Sequence, residues 1–216
     1  MINRDDILFK HPFCMTVAGP SQSGKTRFVT NLILKSRDII KPSPTKIVYC
    51  YSVWQQIYQK LLDSVDIIEF HEGLPSLNNI DSKDNNLYIF DDLMDECGEN
   101  KQILNLFTVG SHHKNCSVIF ITQNIYLKGK YTRSMNLNSH YIVLFNNLQD
   151  KSQIYHLARQ LYPQKQKFFQ EVFDNSVCKT KYGHLLIDLK QDTPEELRLR
   201  SYDENSGDLY VYISNE

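Results

Sequence analysis

Short apolar runs alternate with stretches of helical spacing along most of this chain. Residues 13–18, 46–51, 65–70, 87–91, 117–122, 140–145 and 184–189 are brief and almost wholly apolar, so they read as buried strands. Between them, 26–36 places Phe28, Val29, Leu32 and Ile33 on one helical face. Residues 54–62, 101–109, 151–161 and 164–177 also read as helices, the last two separated by Pro163. Pro42 and Pro44 make a turn of 41–45, and the polar 74–86 reads as a surface loop. Residues 128–138 are polar and basic. The stretch 198–206 is a charged tail, and 209–213 is a last edge strand or a partner-binding strand. Strands buried on both faces and alternating with helices predict a mostly parallel sheet flanked by helices. The ligand site of such a sheet lies beyond the carboxyl ends of its strands.

The residues after the first strand are Gly19, Pro20, Ser21, Gln22, Ser23, Gly24, Lys25, Thr26 and Arg27. The pattern GxxxxGK[ST] stands between a predicted strand and a predicted helix, the context that lets such a loop hold phosphate. The glycines permit backbone angles and close approaches that a side chain would block. Loop N–H groups and the helix start then present positive charge to an anion. In that arrangement Lys25 reaches the β- and γ-phosphates of a nucleotide, and the Thr26 hydroxyl ligates Mg²⁺.

The strand at 87–91 ends in two acids, Asp91 and Asp92. One carboxylate there suffices for the metal. A second one matters for hydrolysis, where a base must orient and deprotonate water, so Asp91 is the metal-side candidate and Asp92 the candidate base. Hydrolytic sites of this kind more often use Glu, and Asp95 and Glu96 follow closely. The strand at 117–122 ends in Gln123. An amide there can accept from water and donate to a γ-phosphate. A strand of this sort inserted between the phosphate-loop strand and the acidic strand marks the ATP-hydrolysing motor branch, although sheet order is not visible in a sequence.

Lys128, Lys130 and Arg133 form a basic segment. Arg133 is a candidate arginine finger in its own or a neighbour's site, a nucleic-acid backbone contact, or a solvated residue. His112 and His113 lack a third ligand at metal spacing and read as helix-end or backbone-contacting residues.

Composition narrows the picture. Across 216 residues, Lys plus Arg number 24 and Asp plus Glu 25, for a net charge of −1. That balance argues against a protein that coats nucleic acid, although it leaves room for a local basic surface. Five widely spaced cysteines contain no CxxC pair, so neither zinc nor a disulfide framework is expected; Cys14, Cys50 and Cys116 read as core residues. No apolar run is long enough to span a bilayer, and the polar first residues do not resemble a signal peptide.

The phosphate loop with Ala18, the Asp91–Asp92 pair and the run 111–124 ending in Gln123 and Asn124 resemble the viral genome-packaging ATPases of the FtsK–HerA superfamily. The nearest likeness is to those of Maverick/Polinton-type elements and adintoviruses, and more distantly to those of poxviruses. Segments 133–145 and 184–198 also match, so the resemblance runs from about Pro12 to Arg200. It implies an α/β P-loop NTPase of the additional-strand, RecA-like motor branch. The implied activity is ATP hydrolysis, with ATP and Mg²⁺ bound, coupled to moving double-stranded DNA into a preformed capsid. It also implies a homo-oligomeric ring and capsid or portal-like vertex partners, within a host cell or associated with the virion.

The resemblance assigns Lys25 and Thr26 to nucleotide and metal, Asp91 to Mg²⁺, Asp92 to water activation and Gln123 to sensing the γ-phosphate. Arg133 is its weakest transfer. No segment resembles the nuclease domain of tailed-phage terminases, so end cleavage is not expected. The expected organisation is one ATPase domain over 1–216, with 1–11 an extension and 201–216 a tail. Two alternatives stay open: a P-loop phosphotransferase acting on a nucleoside or small molecule, and a nucleotide-switched assembly module without turnover.

Overall fold

Nine strands of the computed structural model, which describes residues 4–77, 80–110, 114–126, 129–204 and 206–214, form one central sheet. In chain order the strands are β1 (Phe9–Lys10), β2 (Cys14–Ala18), β3 (Ile40–Lys41), β4 (Lys46–Tyr51), β5 (Ile68–Glu72), β6 (Asn86–Asp91), β7 (Cys116–Thr122), β8 (Tyr141–Phe145), β9 (His184–Asp188), β10 (Leu199–Tyr202) and β11 (Leu209–Val211). The sheet runs β11-β10-β9-β8-β2-β7-β6-β4-β5, while β1 and β3 pair separately. From β8 to β5 all neighbours are parallel; β9, β10 and β11 join antiparallel.

The helices are α1 (Lys25–Leu34), α2 (Ser36–Ile39), α3 (Ile57–Ser64), α4 (Met94–Gly98), α5 (Lys101–Asn105), α6 (Thr132–Leu137), α7 (Ser152–Leu161) and α8 (Gln166–Cys178). The strands read as continuous apolar runs because both faces are covered. Within β4, Ile47 and Tyr49 enter one core with Val29, Leu32 and Ile33 of α1 and Leu61 of α3. The alternate residues Val48 and Cys50 enter the opposite core with Ile103 of α5 and Met135 of α6. A third cluster packs Leu157 and Ala158 of α7 and Phe169, Val172 and Phe173 of α8 on Ile142, Leu144, Leu185 and Ile187.

The strand inserted between the phosphate-loop strand and the acidic strand is present: β7 lies between β2 and β6. Three segments differ from the sequence pattern. The helix expected over 101–109 is α-helical only to Asn105 and continues as a π-helical turn over Leu106–Gly110. Asn100 caps its start, its side chain accepting from the Gln102 and Ile103 amides. The polar 128–138 contains α6, which forms because Thr132 and Met135 are buried. The charged tail contributes strand β10, whose Arg200 is 1% exposed and ion-paired at 2.7 Å with Asp188 of β9. The segment 209–213 supplies the edge strand β11.

The cysteines are free, and Cys14, Cys50, Cys97 and Cys116 are buried. No cluster of metal-ligating side chains occurs among the described residues. Among them, too, no helix is long and apolar enough to cross a membrane. His112, His113 and Lys128 lie outside the described residues.

Candidate active site

Gly19 follows β2 directly, and its amide donates to the Thr122 carbonyl at the end of β7 at 3.2 Å. The loop is therefore anchored where two parallel strands end. A Cβ on Gly19 would stand 2.6 Å from Phe145 Cβ, so the loop's start needs a residue without a side chain. Gln22 and Gly24 take positive φ, 64° and 109°. These left-handed turns fold the loop over the start of α1. Lys25 is buried, and its Nζ donates to the Pro20 carbonyl at 2.9 Å, across the loop. Burial lowers the Lys25 pKa from its ordinary value, opposed by the charges of Asp92 and then Asp91. The Ser23 hydroxyl is buried with no hydrogen-bond partner among the described residues. The loop thus gathers an ammonium, an unsatisfied hydroxyl and a helix start around one turn, a donor set that suits an anion.

Thr26 Oγ1 donates to Asp91 Oδ2 at 3.2 Å, linking α1 to the end of β6 across the intervening β7. Asp91 is 2% exposed. Burial pushes its carboxyl above the ordinary range, and hydrogen bonds from Tyr49, Tyr58 and Thr26 oppose that rise. Asp92 is exposed and takes φ 54°, a left-handed conformation in which Asp is among the better tolerated side chains. The twist interrupts strand alternation there, and its charge is the largest contribution favouring charged Lys25. Gln123 is exposed and lines a small cleft with Ala18, Gly19, Phe145 and Asn147. Lys25, Thr26, Asp91, Asp92 and Gln123 thus gather at the carboxyl ends of β2, β6 and β7.

No family model matches the chain, and no curated protein sequence does. Among solved structures, it is similar to the genome packaging NTPase B204 of Sulfolobus turreted icosahedral virus 2. The complex of that protein with AMPPCP gives a TM-score of 0.56 at 13% identity, over 94% of this chain and 97% of that one. The complex with ATPγS gives 0.53 at 14%, over 98% of both chains. B204 of Sulfolobus turreted icosahedral virus, described as a DNA-packaging ATPase, gives 0.55 at 13%, over 95% of this chain and 100% of that one. At such identities the likeness is one of fold.

The fold is that of a P-loop NTPase. Its residues fit Mg²⁺ as well as phosphate: a threonine hydroxyl and a carboxylate lie within hydrogen-bond distance, as a hard cation held by oxygen requires.

Two candidate residues are placed elsewhere. The Arg27 side chain turns from the loop, its Nε donating to Glu204 at 2.8 Å while its guanidinium lies 5.1 Å from the centre of the Tyr182 ring. Only its position at the helix start remains relevant to phosphate. Arg133 is exposed on α6, and its guanidinium makes no hydrogen bond or ion pair among the described residues. Sequence reasoning missed Tyr49 and Tyr58, whose hydroxyls donate to Asp91 Oδ2 at 2.8 and 3.0 Å. Their signal was present, since a tyrosine in a buried run needs a partner for its hydroxyl. It also missed Tyr182, against which a Cβ on Gly24 would clash at 2.8 Å.

Proposed function

We propose that this chain is an ATP-hydrolysing motor that moves double-stranded viral DNA into a preformed capsid. The observation that carries the reading is the Thr26–Asp91 contact reaching across β7, a strand that ends in Gln123. A likeness in fold, nearly end to end, to a genome packaging NTPase supports it.

The triphosphate lies in the loop, and Lys25 exchanges the Pro20 carbonyl for β- and γ-phosphate oxygens. Thr26 and Asp91 would hold Mg²⁺, which would supply charge neutralisation at the phosphates. The oxygen of a water attacks the γ-phosphorus as the bond to the β–γ bridging oxygen breaks. Asp92 takes the proton of that water, and ADP and inorganic phosphate are the products. Gln123 contacts the water or the γ-phosphate, so the state of the nucleotide is felt at the end of β7. Arg133, exposed on α6, acts on a neighbouring subunit's nucleotide or on the DNA backbone. The motor works as a homo-oligomeric ring docked on capsid or portal-like vertex proteins, because subunits must hand the duplex from one to the next.

Displacement of a triplex-forming strand from duplex DNA tests this reading. ATP-dependent displacement that Lys25→Ala abolishes is expected. Accumulation of a phosphorylated small-molecule acceptor instead of inorganic phosphate would replace the motor with a phosphotransferase.

A further inference from the structure

Asp91 is bonded in an asymmetric way. Thr26 Oγ1, Tyr49 OH and Tyr58 OH all donate to Oδ2, at 3.2, 2.8 and 3.0 Å. Among the described residues no hydrogen bond falls on Oδ1. A carboxylate has about four lone-pair sites shared by its two oxygens. Three donors exceed the two sites of Oδ2 and leave both sites of Oδ1 open. A carboxylate held for packing alone is better satisfied by donors on both oxygens.

The two phenols come from different layers. Tyr49 lies on β4, next to β6 in the sheet, and Tyr58 lies on α3 above it. Both are fully buried. Their rings are 4.8 Å apart, Phe70 stacks on Tyr49 at 5.2 Å and lies 5.4 Å from Tyr58, and Trp54 meets Tyr58 edge-on at 5.5 Å. Rings packed on several sides have little freedom to turn their hydroxyls elsewhere. Thr26 is the one donor of the three that lies beside the glycine-rich loop, and its oxygen keeps lone pairs for a metal while its O–H points at Asp91.

We infer that Tyr49 and Tyr58 are positioning residues that fix Asp91 through Oδ2 and reserve Oδ1 for the metal side of the nucleotide. The inference rests on the proposed nucleotide site. The tyrosines touch neither nucleotide nor metal. They restrict the carboxylate to one orientation, in the way that partners behind a ligand set its geometry. Thr26 and Oδ1 then meet the ion as a prearranged pair.

Mn²⁺ binding to the full chain loaded with the hydrolysis-resistant analogue AMPPCP, followed by electron paramagnetic resonance, tests this. Tyr49→Phe and Tyr58→Phe are each expected to weaken Mn²⁺ binding about tenfold, and the double variant up to about a hundredfold. AMPPCP affinity without divalent metal stays unchanged. Wild-type Mn²⁺ affinity in the folded variants would overturn the inference. A packing role alone would lower the melting temperature of the metal-free chain and spare Mn²⁺ affinity. Should the double variant not fold, the single variants decide, since each keeps one phenol. A wild-type chain that binds no AMPPCP defeats the nucleotide site and this inference together. A wild-type chain that binds both ligands, with phenylalanine variants equal to it, defeats the inference alone.

Discussion

The Thr26 hydroxyl lies 3.2 Å from Asp91 Oδ2, although 65 positions separate them in the chain. One residue belongs to the helix that follows the glycine-rich loop and the other to the strand that ends in acid. Their contact makes two sequence motifs one site, because β7 sets the distance between them.

The proposed mechanism gives Lys25 and Asp92 different steps, so their variants should fail differently. Lys25→Ala removes the loop's only ammonium and is expected to slow phosphate release about a hundred- to a thousandfold, as loss of a transition-state charge partner does. Asp92→Asn tolerates the same left-handed backbone and keeps nucleotide affinity, while turnover falls about a hundredfold or more. Parallel measurements of analogue binding and phosphate release separate the two. Wild-type turnover in Asp92→Asn would remove Asp92 as the base.

Gly24 has φ 109°, and a Cβ there would stand 2.8 Å from the Tyr182 ring. Gly24→Ala is therefore expected to destabilise the chain by about 1–3 kcal/mol and to abolish nucleotide binding. Adding Tyr182→Ala relieves the clash and leaves the backbone strain, so stability should recover only in part. Thermal melting of the single and double variants checks this.

Two histidines make stability depend on pH. His184 is 3% exposed between Phe28 and Phe145, and burial lowers its pKa, partly offset by the Tyr182 carbonyl. His11 is lowered by burial too, with Asn115 opposing. A folded-state pKa below the unfolded value near 6.5 means that protons favour the unfolded chain as pH falls. The stability these imidazoles contribute is present above about pH 6.5 and is lost as pH drops through their folded pKa values. The raised Asp91 pKa acts in the opposite sense. The comparison is therefore with His184→Phe, whose melting temperature should fall less between pH 7 and 5 than that of the wild type.

Arg200 and Asp188 form an ion pair in which both side chains are almost wholly buried. Arg200→Ala leaves the carboxylate with Thr193 and the Lys190 amide but without its ion-pair partner. A loss of about 3–5 kcal/mol in urea unfolding is expected. Replacing both members with apolar residues of similar size should cost less.

The apolar runs made most strands legible: 46–51 matches β4 at both ends, and the strand carrying Asp91 ends where the acid stands. The loop between β2 and α1 was legible because its pattern is local, held within the eight consecutive residues 19–26. What escaped was nonlocal. Arg200 sits among charged residues that suggest a solvated tail, yet its charge is hidden by a partner 12 positions away. Helix α6 is anchored by Thr132 and Met135, too few buried positions to give a periodic signal. Tyr49 and Tyr58 meet Asp91 only because β4 pairs with β6, an order that no run of residues encodes.

The most direct test of the motor reading is steady-state phosphate release from ATP with and without linear double-stranded DNA, alongside the mass of the assembled species. Turnover is expected to rise with duplex DNA in an oligomer of ring size and to fall about a hundredfold or more in Lys25→Ala. Turnover by a monomer that is indifferent to duplex DNA would contradict that reading.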